Sequence, residues 1–112
     1  MVTTLDNVEH YVWGSGCDGW HLLKSDSLSI IYERMPPGTQ EARHFHNRAQ
    51  QFFFVLSGEA VMELDGKEFV IHEREGVHVP AGKPHQMFNR SSADVFFQVV
   101  SQPPSHGDRV NL

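Results

Sequence analysis

Hydrophobic and polar residues alternate along most of this chain with a period of two, and no segment sustains the 3.6-residue period of an amphipathic helix. Period two places successive side chains on opposite faces of an extended chain, so the pattern predicts short strands throughout. They fall at about 8–13, 20–24, 28–35, 41–46, 51–56, 59–64, 67–71, 77–80, 85–90 and 94–101. Gly14–Gly19 reads as a flexible loop, Ser25-Asp26-Ser27 as a turn, and Pro36-Pro37-Gly38 as a stop. The segment 51–56 is apolar without interruption after Gln51, which predicts burial on both faces. Residues 102–112 carry no period and read as an irregular tail. Ten short strands in one domain, 1–112, predict an all-β protein, a small barrel or sandwich.

The clearest local element is the hairpin around Asp65-Gly66, a pair suited to a type I′ turn. A two-residue loop pairs Leu64 with Lys67, Met62 with Phe69 and Ala60 with Ile71, which puts five apolar residues on one face. The same register sets Glu63 opposite Glu68, a small repulsive cost. The apolar face decides the matter, because slipping by one residue would expose it.

Composition narrows the partners. A net charge of −5 offers no basic surface for nucleic acid or an anionic membrane. No apolar run approaches the ~18–20 residues of a membrane span. The first six residues have neither the basic start nor the apolar stretch of a secretory leader, and the single cysteine, Cys17, excludes an internal disulfide. These features predict a cytoplasmic protein. Eight histidines in 112 residues are the one chemical signal in the composition.

Two of them, His44 and His46, stand at i and i+2, where an extended chain points both to one face with Cα atoms about 7 Å apart. That geometry suits two imidazoles converging on one metal. A third, His85, follows the Pro80-Ala-Gly82-Lys-Pro84 turn, 39 positions beyond His46, so only the fold can join it to the pair. An amide pair, Gln50-Gln51, follows the first two histidines.

With Gly38, His44-x-His46, Gln51 and Gly58 in order, residues 38–58 resemble the first cupin motif; Pro80-x-Gly82, His85 and Asn89, within 74–89, resemble the second. Two positions depart from the family pattern. Gln51 stands where glutamate is usual, and Arg74 stands where a glycine is expected, with Gly76 nearby. The resemblance implies a single jelly-roll cupin barrel and one divalent metal ion held by His44, His46, Gln51 and His85, with Gln50 the competing amide. Three imidazoles and an amide are neutral, so the ion would keep its full charge as a Lewis acid and leave positions open for water or a small carboxylate. The set suits Zn, Ni, Fe, Mn or Cu.

Cupins cover many chemistries, so the resemblance leaves the reaction open. It implies a metal-dependent enzyme on a small oxygen-rich metabolite, a sugar derivative or organic acid, with isomerase or lyase chemistry ahead of dioxygenase. The alternative is a non-enzymatic binding or sensing module. Strand parity from the histidine pair turns Glu41 and Arg43 away from the site and leaves few proton carriers around it, while the parity of Tyr32, Gln98 and His78 is open. Asn89 reads as a structural hydrogen-bonder, and Asp108-Arg109 as a local ion pair or edge cover. The aromatic runs 52–54 and 96–97 read as core and subunit contact, consistent with a homodimer.

Overall fold

The computed structural model describes residues 2–112. It contains eleven strands: β1 (His10–Trp13), β2 (Cys17–Lys24), β3 (Ser29–Met35), β4 (His44–His46), β5 (Gln50–Ser57), β6 (Ala60–Leu64), β7 (Lys67–Ile71), β8 (Gly76–Val79), β9 (His85–Phe88), β10 (Val95–Gln102) and β11 (Arg109–Asn111). They form a six-stranded antiparallel sheet in the order β1-β2-β3-β10-β5-β8 and a five-stranded sheet in the order β11-β4-β9-β6-β7. The two sheets face each other without closing through hydrogen bonds, so the expected β-barrel is a jelly roll of two packed layers. No helix among the described residues is long and apolar enough to cross a membrane.

The hairpin forms in the predicted register, with Leu64 opposite Lys67, Met62 opposite Phe69 and Ala60 opposite Ile71. Asp65 (φ 52°) and Gly66 (φ 89°) both take the positive φ that a type I′ turn demands. The opposed Glu63 and Glu68 do not face each other unpartnered. Arg43 holds Glu63 through an Nε contact of 2.6 Å, and Arg90 forks onto both oxygens of Glu68 at 2.9 Å.

The core lies between the layers. Phe53, Val55, Val95, Phe97, Val99 and Met35 reach it from the six-stranded sheet, and Ala60, Met62, Ile71 and Met87 from the other. Burying one such side chain contributes about 1.5–3 kcal/mol. Gly58, the closing glycine of the first motif, has φ +90°, and a Cβ there would lie 2.5 Å from the Asp94 carbonyl oxygen. The corner between β5 and β6 therefore passes too close to the start of β10 for any side chain.

Three expectations need correction. The apolar run in β5 is not buried on both faces: Gln51, Phe53 and Val55 point inward, while Phe52 and Leu56 are exposed. Two sheets rather than a closed wall leave β5 an outer face, where Phe52 stacks near Phe54. Gly14–Gly19 is not all loop, because β2 begins at Cys17, whose thiol is fully buried in the core. The tail is not irregular: β11 pairs along β4, with Arg109 opposite His46 and Asn111 opposite His44.

Candidate metal centre

His44 and His46 share a face of β4, and His85 opens β9, where it pairs directly with His44. Backbone hydrogen bonds fix this meeting. The Gly82 N–H in the turn before His85 donates to the His46 carbonyl at 2.7 Å. At the far end of the motifs, Gly38 N–H donates to the Asn89 carbonyl (2.8 Å) and Asn89 N–H to the Thr39 carbonyl (2.9 Å). The Asn89 side-chain amide donates to the carbonyls of Met35 and Ala93, so its role is structural. The two motifs are thus tied together at both ends.

The result is a three-histidine cluster whose ligating atoms all lie within 4.8 Å of one another. The imidazoles are 2%, 4% and 0% exposed. His44 Nδ1–H donates to the Ala42 carbonyl at 2.7 Å, and His85 Nδ1–H to the Lys83 carbonyl at 2.9 Å. Each bond selects the tautomer that leaves Nε2 as a bare lone pair, the form a metal requires. His85 Nε2 and His46 Nδ1 find no hydrogen-bond partner among the described residues. Burial disfavours the imidazolium form: it pushes His44 down to about 3, His46 down to about 4, and lowers His85. Three neutral, buried imidazoles, two of them with a buried nitrogen that has no partner among the described residues, fit a divalent metal.

Of the competing amides, only Gln51 turns into this cavity. It is 7% exposed, its Nε2 donates to Ser101 Oγ at 3.0 Å, and its Oε1 is buried without a partner among the described residues. Gln50 points to the other face, where it bonds Gln102 and His78.

The cavity holds about 490 Å³, and its wall differs from the apolar lining that parity predicts. Glu33, Glu41, Tyr11, His21 and Arg109 all line it. Parity fails for Glu41 because the strand begins only at His44; before it the chain is held by the Glu41 N–H to the Met87 carbonyl, and the Glu41 carboxylate accepts the Met87 N–H. Arg43 does turn away, onto Glu63. Tyr32 stacks on Phe96 at 5.8 Å outside the cavity, and neither Gln98 nor His78 lines it. Burial raises the Glu33 carboxyl to about 8, helped by the neighbouring Glu41 charge. Burial raises Glu41 to about 7 against the opposing charge of Arg109.

Glu33 was findable in the sequence. It shares one face of β3 with Ser29, Ile31 and Met35, so it is a charge at inward parity on an apolar strand. Arg109 carried no such signal, because nothing in the tail announces β11. Asp108 does cover an edge, as its carboxylate accepts the Arg48 and Ala49 N–H groups at 2.9 Å.

Comparison with known proteins agrees with this architecture. An uncharacterised protein of Methanocaldococcus jannaschii is 25% identical over 112 residues, spanning 95% of this chain and 90% of its own. The oxalate-binding protein of Thermotoga maritima is 27% identical over 85 residues, 71% of this chain and 70% of its own. The crystal structure of a cupin-superfamily sugar phosphate isomerase from Silicibacter pomeroyi superposes with a TM-score of 0.81 at 24% identity, over 93% of this chain and 76% of that one. The cupin domain model matches residues 31–101, a span that holds all three clustered histidines and Gln51, and the chain therefore belongs to the cupin family.

Proposed function

We propose that this cupin is a divalent-metal-dependent enzyme acting on a small oxygen-rich metabolite, a sugar derivative or organic acid, by isomerase or lyase chemistry ahead of dioxygenase chemistry. One observation carries the reading: the three-histidine cluster of His44, His46 and His85 borders a cavity that His44, His46 and Gln51 line together with two carboxyl groups, Glu33 and Glu41. Those four residues would hold the ion, which when bound supplies a Lewis acid and a seat for ligand oxygens. The chain supplies the rest. Phe53 and Val99 exclude water from part of the wall, Arg109 offers a fixed cation to an anionic group, and the carboxyls offer proton donor and acceptor within one enclosure. The sugar phosphate isomerase and oxalate-binding relatives support small, oxygen-rich ligands for this shape of site.

The test has two stages. Elemental analysis of protein purified without a histidine tag should find about one divalent metal per chain. The metal-loaded protein should then exchange the C–H protons of dihydroxyacetone or pyruvate with D2O, followed by proton NMR. Absence of metal sinks the reading. Tight oxalate binding without any exchange replaces it with the second reading, a non-enzymatic binding module, which the oxalate-binding Thermotoga relative favours.

The reading includes a homodimer. The outer face of the six-stranded sheet presents a row of aromatic contacts, Trp20 to Tyr32 at 5.6 Å and Tyr32 to Phe96 at 5.8 Å, with Phe52 exposed farther along the same face, opposite Val100. A sedimentation mass near the 12.7 kDa of one chain would remove this part.

A further inference from the structure

Glu33 has supports that the fold does not otherwise need. Tyr11, Gly19 and Glu33 stand in register across β1, β2 and β3. The Tyr11 ring lies over Gly19, where any Cβ would fall inside it, and so reaches across β2 to donate its hydroxyl hydrogen to Glu33 Oε1 at 3.4 Å. The Glu33 side chain enters the cavity from the six-stranded sheet, while the histidines enter from the five-stranded one. A ligand seated at the histidines therefore has Glu33 on its other side.

We propose that Glu33 is the proton carrier of this cavity, the side chain that gives a proton to a ligand seated at the three histidines, with Tyr11 as its positioning residue. The step is a proton transfer only. The carboxyl O–H bond of Glu33 breaks, an O–H bond forms on a lone pair of the ligand oxygen, and Glu33 is left as a carboxylate that the reverse step reprotonates. No oxidant or reductant takes part. This deepens the metal-site reading, on which it depends only for where the ligand sits.

The groups facing Glu33 act in opposite senses. Burial and the Glu41 charge raise its proton affinity, whereas the Tyr11 hydroxyl and the Arg109 guanidinium lower it. Glu9, His21 and Lys24 line the same wall from the β1–β2 side. The neighbours thus predict a signature that a carboxylate outside this cavity would not give.

Carbon-13 NMR of protein labelled at the glutamate carboxyls reads it directly. The chain has eight glutamates, and the Glu33 resonance is the one missing from Glu33→Gln. In metal-free protein it should titrate at about 8. Tyr11→Phe should move it up, Glu41→Gln should move it down, and zinc loading should also move it down by adding positive charge to the site it faces. Titration among the exposed glutamates, movement of both variants in one direction, or no response to bound zinc would overturn the proposal. A second measurement covers variants that fold poorly. Because the folded state holds the Glu33 proton up to about 8, against 4.5 for the free side chain, it binds more protons than the unfolded chain across that window. By itself Glu33 therefore lowers stability as pH rises from about 4.5 to 8, in the sense opposite to the buried histidines, and the stability of Glu33→Gln relative to wild type should rise across that window in urea titrations of metal-free protein. An unchanged difference counts against the proposal. Should zinc fail to bind while Glu33 titrates as stated and its neighbours shift it oppositely, the metal reading falls and the proton carrier stands.

Discussion

Replacing His46 by Ala should empty the metal centre while leaving the chain folded. The imidazole is 4% exposed and contributes one of three clustered ligand atoms. Its removal leaves two imidazoles and an amide. Losing a residue that merely orients a ligand weakens metal binding about 10–100-fold, so losing a ligand should exceed 100-fold. Folding should survive, for two reasons. The hydrogen bond that ties this strand to the Gly82 turn uses the His46 carbonyl, which Ala retains. The ring also takes with it a buried Nδ1 that had no partner among the described residues, so no hydrogen bond to that atom is broken. Metal per chain should drop from about one to less than a tenth, with the near-ultraviolet circular dichroism of the wild type retained. His21→Ala, on the β2 wall of the cavity, serves as a control and should keep its metal. Full metal retention by His46→Ala would refute the ligand assignment.

Phe97→Ala should cost the most stability of any single truncation in the core, about 3–5 kcal/mol, because the void combines lost burial with lost packing. Phe97 is 1% exposed at the middle of β10, the strand that joins β3 to β5. Its ring meets Phe53 at 6.1 Å, and Phe53 in turn meets His85 at 6.1 Å. The void would open directly behind the side chain that backs the metal centre. Urea denaturation should show a sharply lower midpoint with little change in slope, and the folded fraction should bind metal more weakly than wild type. A cost under 1 kcal/mol would mean that the two layers collapse onto each other freely at this point.

Local chemistry explains what could be read in the sequence. The Asp65-Gly66 turn and its apolar pairs set a register without help from distant residues. Both histidine motifs keep their spacing because Gly38, Gly58 and Gly82 each sit at positive φ, which punctuates the chain wherever it folds. What stayed hidden depends on partners. β5 looked apolar throughout, and only the presence of an outer face sorts Phe52 from Phe53. β11 is three residues long and owes its existence to the free edge of β4. Glu41 was turned the wrong way because parity was extended three residues beyond the true start of the strand. Glu33, in contrast, obeyed parity and was legible as an inward charge on β3.

The shortness of β4 has a consequence for the order of events in synthesis. This three-residue strand pairs with β9 at a single position and with β11 at three, and the Leu112 N–H bonds back to the Arg43 carbonyl. Most of the strand's pairing, and the guanidinium of Arg109, thus come from residues translated some sixty positions after the histidines they brace. Closing so long an interval is slow relative to forming the 60–71 hairpin. A nascent chain would display His44 and His46 for seconds before their wall exists. A metal bound at full affinity would then be captured only after residues 109–111 have been made, and would be drawn from whatever supply the chain meets at that stage.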